Sequence, residues 1–188
     1  MDTMKTFLSF FLLFTSVITP ALWSVPAQVS IIPHCESDAN DNITQKGLER
    51  AGALGPYITL TPDLIVFGAP IAVFAGRPST LYPTNVCIVS VAPTAELLKQ
   101  AIHAGYAAGS QEQALANFVL NNPLYDGKNV LICWQPGNIT ALAEAFGVSS
   151  PPSFGSSVYN VTWVITFSPT VTLTSYQQLL MYEDAAPI

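Results

Sequence analysis

Six consecutive residues, Asn129-Val130-Leu131-Ile132-Cys133-Trp134, constrain the fold more than any other stretch of the chain. A run that is apolar at nearly every position does not suit a strand with one wet face, where alternate side chains meet water. It suits a strand buried on both faces, and such strands belong to parallel sheets with helices packed above and below. Residues 29–32 make a second short apolar run, closed by Pro33, and residues 63–67 a third. Residues 158–167 alternate instead, with Val161, Trp163, Ile165 and Phe167 on one side and Asn160, Thr162 and Thr166 on the other. That is the two-residue period of a strand. The tail, residues 170–181, is expected to add one more.

Between these runs the period changes to that of a helix. Leu48, Ala51, Leu54 and Ile58 recur at helical spacing, with Lys46, Glu49 and Arg50 on the other side, so a helix is expected over residues 45–57. Thr44 is placed to cap it. Residues 68–92 are rich in Gly, Pro, Ser and Thr and read mainly as loop, with a short strand at 86–91. A second helix is expected over 93–104, with Pro93 in its first turn. Others are expected over 110–120 and 138–146, the last stopped by Gly147. Strands alternating with helices predict an α/β fold, a three-layer α/β/α sandwich with a mostly parallel central sheet. Ligands in such sheets bind at the carboxyl ends of the central strands, here residues 33–36 and 135–137.

Charge excludes some functions. The formal net charge is −6, and the whole chain holds only six Lys and Arg. No basic patch can be assembled from so few, which argues against nucleic acid as a partner and against an anionic lipid surface. At the N-terminus Lys5 precedes a mostly apolar run, residues 7–18, followed by Pro20 and the small-residue site Val25-Pro26-Ala27. This is the layout of a secretory signal peptide, and the run is short for a membrane span. The expected organisation is a signal peptide over residues 1–27 and one domain over 28–188, with no stable membrane span after cleavage and a secreted or periplasmic location. A buried N-terminal helix and an uncleaved anchor are the other readings of the same run. Cys35, Cys87 and Cys133 are too few for a disulfide scaffold and do not have a zinc spacing. One bridge with one thiol left over, or no bridge, both fit. No metal or cofactor is expected.

The order of the motifs carries a resemblance. Ile31-Ile32-Pro33-His34-Cys35-Glu36, then Gly47-Leu48-Glu49-Arg50-Ala51 and Ala53-Leu54, resembles the opening of the histidine phosphatase (phosphoglycerate mutase-like) superfamily. That family opens with a strand, Arg-His-Gly-Glu, and a helix with a Gly-x-x-Arg-Ala pattern. Pro62-Asp63, Ser90-Val91-Ala92-Pro93-Thr94-Ala95, the strand ending at Trp134 and the segment beginning at Tyr159 match later parts of the same plan, in order. The resemblance implies a site in which one histidine attacks phosphorus. A second histidine and two arginines hold the phosphoryl oxygens, and an acid protonates the leaving group.

Carried over position by position, the match keeps His34 as the nucleophile and loses most of the rest. Pro33 stands for the first arginine, Cys35 for the glycine after the histidine, and Val86 for the second arginine. Gln135-Pro136 stands where the second histidine belongs, with Pro136 in its place. Three charged or chargeable groups are thus replaced by groups that carry no positive charge. Removing one electrostatic donor from an active site costs on the order of a hundredfold in rate. Arg77, in Gly76-Arg77-Pro78-Ser79-Thr80, is the candidate for a relocated cation. Cys35 has no cationic neighbour in sequence to activate it. Glu96 and Glu112 are the candidate acids, and otherwise solvated helix residues. His103 reads as a surface residue near a helix end, and Trp134 and Trp163 as core aromatics. Asn42, Asn138 and Asn160 each begin an Asn-x-Thr sequon.

Three functions follow from this reading. The first is an exported, catalytically impaired histidine phosphatase-like protein that binds an uncharged small molecule or a protein at a neutral sheet end lined by Pro33, His34, Cys35, Val86, Gln135 and Pro136. The second is a divergent phosphomonoesterase of the histidine acid phosphatase type, with His34 as phosphohistidine nucleophile and Arg77 as its cation. The third is an interaction protein whose sheet end is plugged by residues 68–85.

Overall fold

The computed structural model describes residues 25–185. The expected signal peptide falls almost wholly on residues 1–24, outside the described residues. Ten elements follow in order: β1 (Gln28–Pro33), α1 (Gln45–Leu60), β2 (Ala72–Ala75), α2 (Val86–Leu98), β3 (Ile102–His103), α3 (Glu112–Asn121), β4 (Asn129–Trp134), α4 (Ile139–Ala145), β5 (Val161–Thr166) and β6 (Thr172–Gln177). One sheet carries all six strands in the order β3-β2-β4-β1-β5-β6. The first four run parallel, and β5 and β6 join antiparallel at one side. The sheet is therefore mixed, with a parallel centre.

Strand periodicity sorts the core into two halves. In β4, Val130, Ile132 and Trp134 pack with α3 and α4, and Leu131 and Cys133 pack with α1 and α2. In β2, Ala72 and Phe74 face the first pair of helices and Val73 and Ala75 the second. Every residue of β1 and β4 is buried, which is what a strand covered on both faces requires. Each such buried aliphatic side chain contributes about 1.5–3 kcal/mol. The result is the expected α/β/α sandwich. No described helix is long and apolar enough to cross a membrane.

Local chemistry sets the elements that frame the site. The Thr44 side chain accepts from the Gly47 N–H and caps α1, as its position predicted. Gly47 is required there, because a Cβ at this residue would lie 2.2 Å from the Glu36 carbonyl oxygen. Gly55 brings α1 close to α2, its nearest neighbours being Leu97 and the Cα of Thr94.

Two expectations are corrected. Residues 63–67 are not a strand. Pro62–Leu64 form a single 3-10 turn, Val66 and Phe67 are exposed, and the strand is the short Ala72–Ala75 run inside the presumed loop. Only Leu64 of the DLIVF run is buried, and its carbonyl accepts from the side chains of Gln28 and Asn129 at the amino ends of β1 and β4. The expected strand at 86–91 and the helix starting at Pro93 are one helix, α2, which ends at Leu98 with Lys99 in the left-handed region. Pro93 lies in its interior. Val86, Cys87, Ser90, Val91, Thr94 and Ala95 form one buried stripe, and packing of that stripe outweighs the proline and the β-branched residues.

Candidate functional site

The carboxyl ends of β1 and β4 lie side by side, with Pro33 opposite Trp134. The chain leaves β1 at His34, whose N–H donates to the Trp134 carbonyl at 3.0 Å and so prolongs the ladder by one step. The ring Nδ1 is 2.7 Å from the Cys35 carbonyl oxygen. That oxygen can only accept, so Nδ1 carries the proton and Nε2 the lone pair. Burial lowers the pKa of the imidazole, against weaker opposing effects from the Cys35 carbonyl, Asp41, Gln135 and Glu36. The ring is 3% exposed and lies 5.7 Å, centroid to centroid, from Tyr159. His34 is a neutral, oriented, covered imidazole.

Cys35 donates its backbone N–H to the Ser90 hydroxyl at 2.8 Å. Ser90 is thus the residue of α2 that reaches the end of β1. Ser90 opens the Ser90-Val91-Ala92-Pro93-Thr94-Ala95 match in the sequence, but a strand over residues 86–91 does not bring it to the end of β1. On a helix, Val86, Ser90 and Thr94 share a face one turn apart, and that spacing is the signal that points to Ser90. Burial pushes the Cys35 thiol up to about 12, so it stays protonated near neutral pH and is a poor nucleophile. Val86 opens α2 and is buried, as are Gln135 and Pro136 at the end of β4.

The residues expected to line an open pocket are therefore covered. The segment 77–85 spans the sheet end: Tyr82 donates to the Asn138 side chain at 2.7 Å, and Thr84 donates to the Asp41 carbonyl at 2.8 Å. Arg77 belongs to the same segment. Its N–H donates to the Tyr106 carbonyl, and its exposed guanidinium reaches Gln111 at 3.3 Å and the Pro78 carbonyl at 3.5 Å. Glu112 accepts from the Trp134 indole N–H at 3.2 Å. Glu96 lies on an exposed side of α2 and His103 on the exposed strand β3.

The strongest electrostatic feature was missed by sequence reading. Arg50 of α1, 2% exposed, forks onto two carboxylates. Its Nε and Nη2 donate to Glu36 at 2.9 and 2.7 Å, and its Nη1 and Nη2 donate to Asp184 at 2.8 and 2.7 Å. Asp184 also accepts from the backbone of Leu180 and Met181. Burial opposes ionisation of both carboxyls. The Arg50 hydrogen bonds and charge outweigh it and hold both pKa values below the ordinary carboxylate range. A polar cleft of about 220 Å³ opens beside this triad, lined by Glu36, Lys46, Arg50, Tyr159, Asn160 and Asp184 among others. Tyr159 thus joins the cleft to His34. Asp184 is 134 residues from Arg50 in sequence, and nothing local in the sequence links the two.

Among the described residues no group of three or more His, Cys, Asp and Glu is placed to hold a metal ion. The three cysteines are free and buried in the core shared by α1 and α2.

No family model matches the sequence, and no curated protein matches it. The structure is similar to the crystal structure of SixA from Agrobacterium tumefaciens, a protein assigned as a phosphohistidine phosphatase. The TM-score is 0.52 at 12% sequence identity, over 82% of this chain and 99% of that one. The chain has the histidine phosphatase fold.

Proposed function

We propose that this chain is an exported binding protein on the histidine phosphatase fold in which phosphatase chemistry is impaired. One observation carries the reading. At the end of β1 the only buried guanidinium among the described residues, Arg50, is already committed to Glu36 and Asp184. Beside His34 stand the Cys35 carbonyl, the Tyr159 ring, Gln135 and the carboxylates of Asp41 and Glu36, none of them cationic. A phosphate dianion brought there loses its hydration and gains no counter-charge, a cost of several kcal/mol. Proline at position 136 offers no backbone N–H either. Export is supported by Lys5, the apolar residues 7–18 and the Val25-Pro26-Ala27 site. Cleavage after Ala27 would leave β1 whole, since the strand begins at Gln28.

A second reading, a weak phosphomonoesterase, is favoured by the ring geometry. With Nδ1 donating to the Cys35 carbonyl, Nε2 is free of its proton, as a nucleophilic imidazole needs. Hydrolysis of an aryl phosphate by the wild-type protein, His34→Ala and Arg77→Ala, from about pH 4 to 8 where carboxylate and imidazole groups change charge, separates the two. Rates near buffer for all three support the impaired enzyme. A clear wild-type rate that vanishes in His34→Ala overturns it, and a parallel loss in Arg77→Ala would identify the cation.

A further inference from the structure

We propose that Lys46 and Arg50 form a binding site for a small dicarboxylate, and that the turn at residues 181–184 covers this site with two carboxylates of its own, Glu183 and Asp184. The site uses neither His34 nor Arg77, so the inference goes beyond the reading above and does not depend on whether His34 reacts.

The two cations share an acceptor. Glu36 Oε1 lies 2.7 Å from Arg50 Nη2 and 3.9 Å from Lys46 Nζ, so one small molecule can touch both. Arg50 gives Nε and Nη2 to Glu36, which fixes the plane of the guanidinium. Its other side, Nη1 and Nη2, meets Asp184 at 2.8 and 2.7 Å. Such a pair of N–H groups receives a carboxylate through both oxygens. Glu183 pairs with Lys46. The cleft of about 220 Å³ opens among these five charged side chains, and Ser157, Tyr159 and Asn160 complete its lining. Those three offer hydrogen bonds without charge.

The turn is held mainly by what it covers. Asp184 Oδ2 accepts from the Leu180 and Met181 N–H groups at 3.0 and 2.9 Å as well as from Arg50. The Asp184 N–H donates to the Met181 carbonyl at 3.0 Å. Tyr182 is fully exposed, Glu183 is exposed and Met181 is half-buried, so the turn buries little apolar surface. The chain before it is anchored separately. Gln178 is buried, donates its N–H to the Asn160 carbonyl and its side-chain amide to Thr162, and Leu180 packs on the core shared by α1 and α2. A segment held beyond Leu180 chiefly by polar contacts opens at lower free energy than the sheet it follows.

Charge selects the ligand. With the turn in place the cleft holds three carboxylates against two cations, and without it one carboxylate against two. Opening therefore reverses the sign of the local charge, and a dianion restores the balance that the turn supplies. A planar carboxylate matches the fork of Arg50, and a second takes the place of Glu183 at Lys46. The turn is tethered and competes at an effective concentration of about millimolar. A free dicarboxylate thus enters when it is abundant or when the turn is weakened.

The test uses succinate, with chloride at equal ionic strength as the reference for screening. In the full chain carrying Glu183→Gln and Asp184→Ala, succinate is expected to raise the thermal midpoint saturably. It should bind roughly tenfold to a hundredfold more tightly than to wild type. Adding Lys46→Gln should weaken that binding about tenfold, the loss of one charge-assisted contact. If the double variant fails to fold, Asp184→Asn alone serves, with the same direction expected. In wild type, succinate should speed amide exchange at Leu180 and Met181, whose N–H groups are bound to Asp184, and leave Gln178 protected. A purely structural ion pair would not show this exposure. The proposal is overturned by a variant that responds to succinate no more than to chloride, or by equal affinity in variant and wild type. It is also overturned if Leu180 and Met181 stay protected in wild type at a succinate concentration about a thousandfold above the Kd of the variant. Phosphate hydrolysis enters none of these readouts. Failure here leaves the impaired-enzyme reading standing, and an active His34 leaves the dicarboxylate site standing.

Discussion

Asp184→Asn tests the claim that Arg50 is committed. The substitution keeps the shape of the side chain and one acceptor oxygen but removes the charge that faces Nη1 and Nη2 at 2.8 and 2.7 Å. Removing one partner of a buried ion pair costs roughly 3–5 kcal/mol when the other charge is left alone. Arg50 keeps Glu36, at 2.7 and 2.9 Å, so its charge is not left alone and the cost falls to or below the lower end of that range, about 2–3 kcal/mol. For a domain of this size each kcal/mol moves the thermal midpoint by about 2–4 °C, which gives a fall of roughly 4–12 °C. Urea unfolding at pH 7 should show a lower midpoint at an unchanged slope. The pH dependence supplies a second check. Burial works against the ionised Asp184, and the Arg50 hydrogen bonds outweigh it, so the folded pKa lies below the unfolded one. The stabilisation is then complete above the ordinary carboxylate value, near 4, and is lost as pH falls through the depressed folded value. The gap between wild type and variant should close in that acid range. A loss under about 0.5 kcal/mol at pH 7, the size of a neutral surface change, or a gap indifferent to pH, refutes the reasoning. Arg50 would then be a cation available for a phosphoryl group, and the case for impairment would lose its main support.

Three further outcomes follow from the same geometry. Gly47→Ala should cost more than about 3 kcal/mol or abolish folding, because its Cβ would meet the Glu36 carbonyl oxygen at 2.2 Å. Gly52→Ala, on the same helix with nothing within 4 Å of the new Cβ, should stabilise by about 0.5–1 kcal/mol, and a similar cost at both sites in urea unfolding would contradict the packing. The Cys35 thiol, raised to about 12 by burial, should resist iodoacetamide in the native protein at pH 8 and react only in denaturant. Rapid native labelling read by mass spectrometry would contradict its burial. Nitrogen NMR of His34 should show the neutral Nδ1–H tautomer at pH 7 and a pKa lowered by burial. The folded state then holds this proton less tightly than the unfolded chain, so stability is complete above about 6.5 and declines as pH falls below it. A charged ring at pH 7 would show that the carboxylates of Asp41 and Glu36 outweigh burial after all.

The sequence was most legible where one physical demand acted alone. Strands β1, β4 and β5 were readable because burial on both faces, or a clean alternation, leaves little else that such runs can be. The α2 helix was not readable, because its residues carry two signals. Val86, Val89, Val91 and Pro93 speak against a helix one by one, and the buried stripe from Val86 to Ala95 speaks for it only once a sheet and a second helix are there to cover it. The Ala72–Ala75 strand is four residues in a Gly- and Pro-rich stretch, too short to show a period. The same contrast holds at the site. His34, Cys35, Gln135 and Pro136 were placed at the sheet end by the strands that precede them. Ser90 belongs to a motif that the sequence shows, but its contact with Cys35 follows only once residues 86–98 are one helix. Asp184 was hidden because a pair so distant in sequence leaves no local pattern. A sheet end plugged by residues 68–85 is one of three alternatives that the sequence leaves open, and what selects it, the Tyr82–Asn138 hydrogen bond, is a pairing that spacing cannot show.

A histidine at the position that the sequence resemblance marks as a nucleophile says less about chemistry than it first suggests. His34 has structural work that any reaction would have to share. Its N–H extends the β1–β4 ladder to Trp134, and its Nδ1–H satisfies the Cys35 carbonyl, a buried acceptor that costs about 1–3 kcal/mol if left without a donor. Cys35 in turn gives its own N–H to Ser90. The turn after β1 is thus closed by a chain of neutral hydrogen bonds, His34 to Cys35 to Ser90, where a phosphoryl group would need cations. A phosphoryl group entering there would have to be stabilised by partners that are already satisfied and uncharged. The same imidazole orientation that would make a good nucleophile is therefore also the orientation that a purely structural histidine adopts. What separates the two is the charge around it, and in this chain the charges that act on the ring are the carboxylates of Asp41 and Glu36, while Arg50 is taken up by Glu36 and Asp184.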